Sequence, residues 1–181
     1  ESSNTYSRNY TPIYLNTIEI DTSSLPDDPH KHVQFRDIQL WNRSGTTNYL
    51  LGKLLTDATD SNVISGESAA TDEDIETRFH TNPNIRNPDY LEYDFTSDSV
   101  LLTDIGSFII YPVPNVTRRI RGLVVKFLFS DNSNFAITLE CTDDYSREMI
   151  DFTNSLTTSD YGLSNTYIQY IPGPEPEPEP E

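Results

Sequence analysis

Val33-Gln34-Phe35-Arg36-Asp37-Ile38-Gln39-Leu40-Trp41 is the stretch on which the fold class turns. Apolar residues at every second position mark a strand with one buried face. Here Val33 and Phe35 keep one phase, whereas Ile38 and Leu40 keep the other, so the alternation slips near Asp37. A slip of one residue inside a strand is what a β-bulge produces. The segment is therefore read as a strand with a bulge, closed by a turn at Asn42-Arg43-Ser44-Gly45.

Towards the C-terminus the same kind of segment recurs. A second apolar run spans Tyr49 to Leu55, followed by polar chain to Gly66; then come Tyr90 to Phe95, Val100 to Leu102, Phe108 to Val113, Ile120 to Phe129, Phe135 to Glu140 and Tyr167 to Ile171. From Tyr90 on these are β-branched and aromatic segments of strand length with turn residues between them, and Ser130-Asp131-Asn132-Ser133-Asn134 reads as a hairpin loop. One helix is expected, over Ser68 to Phe79, because Thr71 and Asp74 have capping-box spacing and Asp72, Glu73 and Asp74 suit a helix N-terminus. His80 to Asp89 holds Asn82, Pro83, Asn84, Asn87 and Pro88, a loop long enough to carry function. No internal repeat is visible.

Towards the N-terminus, Asp21 to His32 has the Pro and Asp punctuation of a loop, and Ile13, Leu15, Ile18 and Ile20 alternate as a first strand. Residues 1–16 are read as an arm, 17–171 as a single sandwich domain and 172–181 as a linker. In that linker Pro alternates with Glu, which favours polyproline II and gives a semi-rigid spacer of roughly 30 Å. It precedes a further segment or holds the domain off a surface. The expected fold is all-β, an antiparallel β-sandwich jelly roll with at most one or two short helices.

Composition removes several function classes. The 181 residues are 35% hydrophobic and carry a net charge of -17. Without the tail's four glutamates, 25 acidic residues still face 12 basic ones, so the folded part is acidic too. A phosphate backbone would be repelled, which argues against nucleic acid. No run approaches the roughly 18 to 20 apolar residues of a membrane span, so membrane insertion is not expected. Glu1 opens the chain without an initiator Met or a cationic signal segment, as in an excised fragment. Cys141, the single cysteine, leaves no disulfide within the chain; beside Glu140 and two aspartates it reads as a structural thiol and not a nucleophile.

From Phe35 to Leu139 the order of these signals resembles the discoidin type of galactose-binding-like domain. Phe35-Arg36-Asp37-Ile38-Gln39-Leu40 is similar to that family's opening strand, and Tyr49-Leu50-Leu51-Gly52-Lys53-Leu54-Leu55 with Asn62-Val63 is similar to the strand after it. Tyr90-Leu91-Glu92-Tyr93-Asp94-Phe95 resembles the family's aromatic residue before an Asp-hydrophobic pair. Ile109-Ile110-Tyr111 and then Arg118-Arg119-Ile120-Arg121-Gly122-Leu123-Val124-Val125 resemble its strand, loop and Arg-x-x-Gly strand. The segment from Thr142 to Asn165 is an insertion relative to that pattern, and the disulfide frequent among extracellular members is absent. Joined to Pro-Glu repeats, the chain resembles surface and fibre proteins of large DNA viruses of algae. The resemblance implies binding of sugars or head groups by loops at one end of the sandwich, on a virion surface or outside the cell, without catalysis.

The residues themselves say the following about chemistry. There is no Gly-rich phosphate loop and no nucleophile elbow, so no enzyme activity is expected. Sugar recognition needs rings to stack on and planar polar groups to meet hydroxyls. His80, Asn82, Asn84, Arg86, Asn87, Asp89, Tyr90 and Tyr93 supply that mixture and are the candidate ligand-binding residues; the bland alternative is a connector whose asparagines satisfy their own backbone. Trp41 is open to two readings, a core or rim residue and a stacking platform. No cofactor is called for, although the oxygen ligands of Asp57, Asp60 and Asn62 make that loop the candidate for a structural calcium ion. His30 and His32 beside Asp27 and Asp28 read as a solvated loop. Asn42-Arg43-Ser44 and Asn115-Val116-Thr117 fit the N-glycosylation pattern. The expected function is a carbohydrate-binding module held on a stalk that attaches a virion to host glycans. Its rivals are a structural module, packing in a homo-oligomer or against other virion proteins, and a module appended to a hydrolase.

Overall fold

The computed structural model describes residues 11–21, 33–57, 63–65, 67–81, 90–114, 119–140, 148–152 and 170–171. Strands dominate, as the alternating β-branched and aromatic residues require. They are β1 (Leu15–Asp21), β2 (Gln34–Asn42), β3 (Thr56–Asp57), β4 (Val63–Ser65), β5 (Phe79–Thr81), β6 (Tyr90–Asp94), β7 (Ile105–Pro112), β8 (Val124–Phe129), β9 (Asn134–Thr138), β10 (Glu148–Asp151) and β11 (Tyr170–Ile171). One antiparallel sheet has the order β11-β9-β8-β1-β6-β3 and the other the order β10-β7-β2-β5-β4.

The bulge lies where the phase of the sequence slips. Phe35 pairs with Pro112 and Asp37 with the neighbouring Tyr111, so Arg36 is the extra residue on β2. Its effect is to change which side chains face inward. After the bulge Ile38 and Leu40 sit opposite Ile110 and Phe108. Phe108 in turn meets Phe127 of the other sheet edge to face, with centroids 5.4 Å apart. Ile18, Ile20, Leu91, Tyr93, Val125, Phe127, Phe135 and Ile137 line the facing side of the core. The β8–β9 hairpin closes as expected, with Asn132 in the left-handed region at φ 64° and its amide donating to the Phe129 carbonyl at 3.0 Å.

Three expectations need correction. Ser68 to Phe79 is not an α-helix: a 3₁₀ turn spans Glu67–Ala70 and the chain then bends. The acidic residues chosen as a helix start are the cause. Asp72 Oδ1 accepts from the Asp74 amide at 3.0 Å and Asp74 Oδ1 from the Glu76 amide at 2.9 Å. Such Asx turns compete with helical bonding. Tyr49 to Leu55 forms turns where a strand was expected, with Gly52 at φ 75°. Of Val100 to Leu102, only Leu101 makes a bridge, to Tyr14, and a 3₁₀ turn follows at Leu102–Asp104. β10 lies inside the insertion after Thr142, where no strand was singled out, and pairs with β7. In addition β1 begins at Leu15, within the segment assigned to the arm.

Strand pairing sorts the connections by end. The end of β1 pairs with the starts of β6 and β8, through Asp21 with Tyr90 and with Val124. The start of β2 lies beside the ends of β5 and β7, and the start of β4 beside the end of β5. Hence β1 to β2, β3 to β4, β5 to β6, β7 to β8 and β9 to β10 all leave from one end of the sandwich and pass to the other sheet. At the opposite end stand Trp41, the turn after it, and the 71–78 and 95–104 segments.

Candidate functional site

Asp37, Gln39 and Trp41 occupy alternate positions on β2, and the intervening Ile38 and Leu40 point into the core. The three therefore share the outer face of the five-stranded sheet. They are joined in series. Trp41 Nε1 donates to Gln39 Oε1 at 2.8 Å, and Gln39 Nε2 donates to Asp37 Oδ2 at 2.7 Å. An indole N–H can only donate, so the Gln39 amide has one orientation consistent with both bonds, and Asp37 Oδ2 must accept.

The series ends in a poor place for a charge. Asp37 is 0% exposed, and its second oxygen, Oδ1, has no hydrogen-bond partner. Burial is the largest reason that its pKa is pushed up to about 6; the Gln39 hydrogen bond lowers it, the Asp72 carboxylate raises it, and the amides of Glu73 and Ile38 lower it. The direction fixes the linkage. A carboxyl raised above its ordinary 3.8 favours the folded state fully below that pH and loses the contribution as pH rises through about 6.

The segment above Asp37 is braced independently. Thr71 Oγ1 donates to the Lys53 carbonyl at 2.6 Å, the Gly52 amide to the Thr71 carbonyl at 3.0 Å, and Asn48 Nδ2 to Glu73 Oε1 at 2.9 Å. Glu73 itself has φ 60°, a left-handed conformation uncommon for a residue with a side chain.

Trp41 is half-buried at the rim. Asn48 bridges it on one side and Ser107 pairs with it on the other. The rim beyond is rigid. Asn42 Oδ1 accepts from the amides of Thr46 and Thr47 at 2.8 and 3.1 Å, and its Nδ2 donates to Thr46 Oγ1 at 3.1 Å. With both ends of that amide engaged in the turn, the Asn42-Arg43-Ser44 triplet keeps its asparagine for structure. The Arg43 amide donates to the Asp104 carbonyl at 2.8 Å, and the Tyr49 hydroxyl donates to Asp104 Oδ2. Desolvation first, and then that carboxylate, pushes the Tyr49 phenol up to about 12.

Of the expected ligand-binding residues, His80, Tyr90 and Tyr93 fall within the described residues. Tyr93 is a correction: it is fully buried on β6, opposite Ile18, and offers no ring to solvent. Its hydroxyl has no hydrogen-bond partner, and burial holds the phenol well above its ordinary pKa. The alternation Leu91, Tyr93, Phe95 sends the ring inward. His80 is half-buried on β5, where it pairs with Gln34. Tyr90 begins β6 against Asp21. Asn82, Asn84, Arg86, Asn87 and Asp89 lie outside the described residues, as do Asp60, Asn62, His30, His32, Cys141, 115–117 and the Pro-Glu segment. Asp57 ends β3 opposite Leu91.

Topology nevertheless relates them. β3 ends at Asp57 and β5 at Thr81, both at the end where the connections cross between sheets, whereas Trp41 stands at the other. From Gln34 to Trp41 is roughly 23 Å of strand, so Trp41 and the His80–Asp89 stretch are separate candidates. Among the described residues no group of three or more His, Cys, Asp or Glu side chains is placed to hold a metal ion, and no helix is long and apolar enough to cross a membrane. No protein-family model matches this chain, and neither does any curated protein or solved structure.

The alternation of Asp37, Gln39 and Trp41 was open to detection in the sequence. Polar residues at i and i+2 in a strand whose other phase is apolar need partners if the outer face is covered.

Proposed function

We propose that this chain is a non-catalytic carbohydrate-binding β-sandwich whose stacking platform is the Trp41 ring. The observation that carries the reading is the series from Trp41 through Gln39 to Asp37. The indole spends its polar edge on Gln39, which leaves a half-exposed apolar face in a fixed orientation at a polar rim. Ser107 and the exposed Arg43 lie beside it with donors and acceptors of the kind that sugar hydroxyls need, whereas the Asn48 amide is engaged with Glu73 and with the backbone of Leu40 and Leu50. Discoidin-like modules bind by one end of the sandwich, and the resemblance in Phe35 to Leu139 supports the same class of ligand. Carried on the Pro-Glu spacer, such a module would serve attachment of a virion to host glycans.

A glycan array with the 181-residue chain tests this. A sugar should bind, and Trp41→Ala should weaken it at least about tenfold while Arg86→Ala and Tyr90→Ala leave it unchanged. Loss on Arg86→Ala or Tyr90→Ala with Trp41→Ala silent moves the site to the crossing end; no bound sugar removes the reading.

A second reading, a packing module of a capsid or surface array, has its own observation. Leu51, Leu54 and Ile75 are 55%, 60% and 43% exposed, on two segments tied together through Thr71. Large apolar side chains left in water favour assembly. Sedimentation should then show concentration-dependent association that Leu54→Glu abolishes; a monomer at all concentrations refutes it.

A further inference from the structure

The turn that closes β2 carries a cation that nothing in the described structure balances. Arg43 is exposed, and among the described residues its guanidinium makes no ion pair, hydrogen bond or ring contact. In a chain of 29 acidic and 12 basic residues a guanidinium has many carboxylates to choose from. The described lysines are paired: Lys53 Nζ lies 2.7 Å from Asp98 Oδ2, and Lys126 Nζ lies 3.8 and 3.7 Å from Glu19 and Asp21. The acids of the rim segments are spent on other partners. Asp104 accepts from the Tyr49 hydroxyl, Glu73 from the Asn48 amide, and Asp72 from the Asp74 amide and the Thr77 hydroxyl.

Strand geometry puts this cation beside the indole. Trp41 pairs with Ser107 and Asn42 with Ile105, so the extra residue at that point is Gly106, on β7 and not on β2. The phase of β2 therefore carries through to Arg43, which takes the outer face that Trp41 occupies, roughly 7 Å further along. Pairing reaches that far, since the Arg43 amide donates to the Asp104 carbonyl at 2.8 Å. Beyond it the Gly45 amide closes on the Asn42 carbonyl at 3.0 Å, and the Asn42 side chain holds the amides of Thr46 and Thr47. The backbone of Arg43 is fixed, its guanidinium is unspent, and the indole face is not covered by it.

A guanidinium presents a planar fork of N–H donors that matches two oxygens of a carboxylate or a sulfate. A sugar ring stacked on Trp41 brings its edge within reach of that fork. The net charge of -17 opposes an anion at a distance, but at physiological salt such a field is screened beyond about 8 Å, and contacts at the rim decide the outcome. We propose that the sugar taken by the Trp41 platform is an acidic one, and that Arg43 selects it by pairing with a carboxylate or sulfate on the edge of the ring. The proposal rests on the Trp41 reading and adds to it the charge of the ligand.

The glycan array gives the first answer, because acidic sugars should dominate its hits. Two matched pairs of probes then follow by calorimetry on the full chain: a uronic acid oligosaccharide with its methyl ester, and a sulfated oligosaccharide with its desulfated form. Within a pair the ring is the same and only the charge is removed. One acidic probe should bind at least about tenfold more tightly than its neutral partner, and the pair in which it does identifies the oxyanion. Trp41 is the only tryptophan, so a change in emission on titration places the sugar at that ring. Arg43→Gln should bring the acidic probe down to the affinity of the neutral one and leave the neutral one unchanged. Arg43→Lys, which keeps the charge and loses the fork, should recover part of the preference. Arg121→Gln is the control: it removes the same charge from an exposed position between β7 and β8, at the crossing end, and should change nothing. Equal affinity within both pairs, or an acid preference that survives Arg43→Gln or is lost with Arg121→Gln, overturns the selection by Arg43. The Trp41 platform outlives that result if the bound sugars are still lost with Trp41→Ala. No bound sugar on the array, or binding to vesicles of anionic phospholipid alone, removes both.

Discussion

Phe127→Ala is expected to lower the free energy of unfolding by about 3–5 kcal/mol, a large share of the roughly 5–15 kcal/mol that a domain commonly has. Four rings explain the size of the effect. Phe127 is fully buried and touches Phe108, Phe135 and Phe152 at centroid distances of 5.4, 5.6 and 5.1 Å. Phe135 and Phe152 also meet each other, at 5.3 Å. Phe127 and Phe135 belong to the six-stranded sheet, whereas Phe108 and Phe152 come from β7 and from just beyond β10 in the other. Deleting the central ring removes its own burial and leaves the three others facing a cavity that two hydrogen-bonded sheets cannot close. Denaturation in urea should show a lower midpoint at unchanged slope. Phe127→Leu, which retains most of the volume, should cost well under half as much, and equal losses for the two variants would refute the cavity account.

The same cluster shows what a linear reading reaches. β8 and β9 were legible because each has one buried phase and the hairpin between them uses Asn132 at a position where a left-handed residue is needed. The bulge in β2 was legible for a related reason: a slip in period is itself a local signal. β10 was not. Glu148-Met149-Ile150-Asp151 is too short to show a period, and it becomes a strand only because β7 presents an edge to it. The failed helix at 71–78 is a conflict between two local signals of one residue type. Asp72 and Asp74 suit a helix N-terminus, but they also bond the amides two residues on, and only the packing over β2 decides between these outcomes.

The candidate site was legible in part for the same physical reasons. Tyr93 was misplaced because an amphipathic ring reads equally well as a platform and as core; its phase in β6, shared with the buried Leu91 and Phe95, was the available discriminator. Trp41 carried the opposite ambiguity. What the sequence did not disclose is that Gln39 and Asp37 hold the indole, since that requires knowing that the outer face of β2 is covered by a turn 35 residues further along the chain. The closest contacts of that face come from a segment whose local signals pointed to a helix, and so its position could not be anticipated.

Gly106→Ala is the other large effect, and it reaches the site directly. A Cβ at Gly106 would stand 2.4 Å from the Asn42 carbonyl oxygen, 2.8 Å from its carbon and 2.9 Å from the Arg43 Cα. All three are backbone atoms, so no rotamer change relieves the overlap. β7 must instead move away from the end of β2, where Asn42 pairs with Ile105 and Trp41 with Ser107. A cost of about 3 kcal/mol is expected. The Trp41 rim shifts with it, so the emission of the folded variant should differ from that of the unmodified chain. Gly45→Ala provides the contrast. That residue has φ 69° and open space around it, so the penalty is conformational alone, about 1 kcal/mol, although it lies in the turn immediately after Trp41. Steric exclusion at Gly106 thus predicts the larger loss at the residue whose φ is ordinary, and a Gly45→Ala variant that proved the less stable of the two would contradict it.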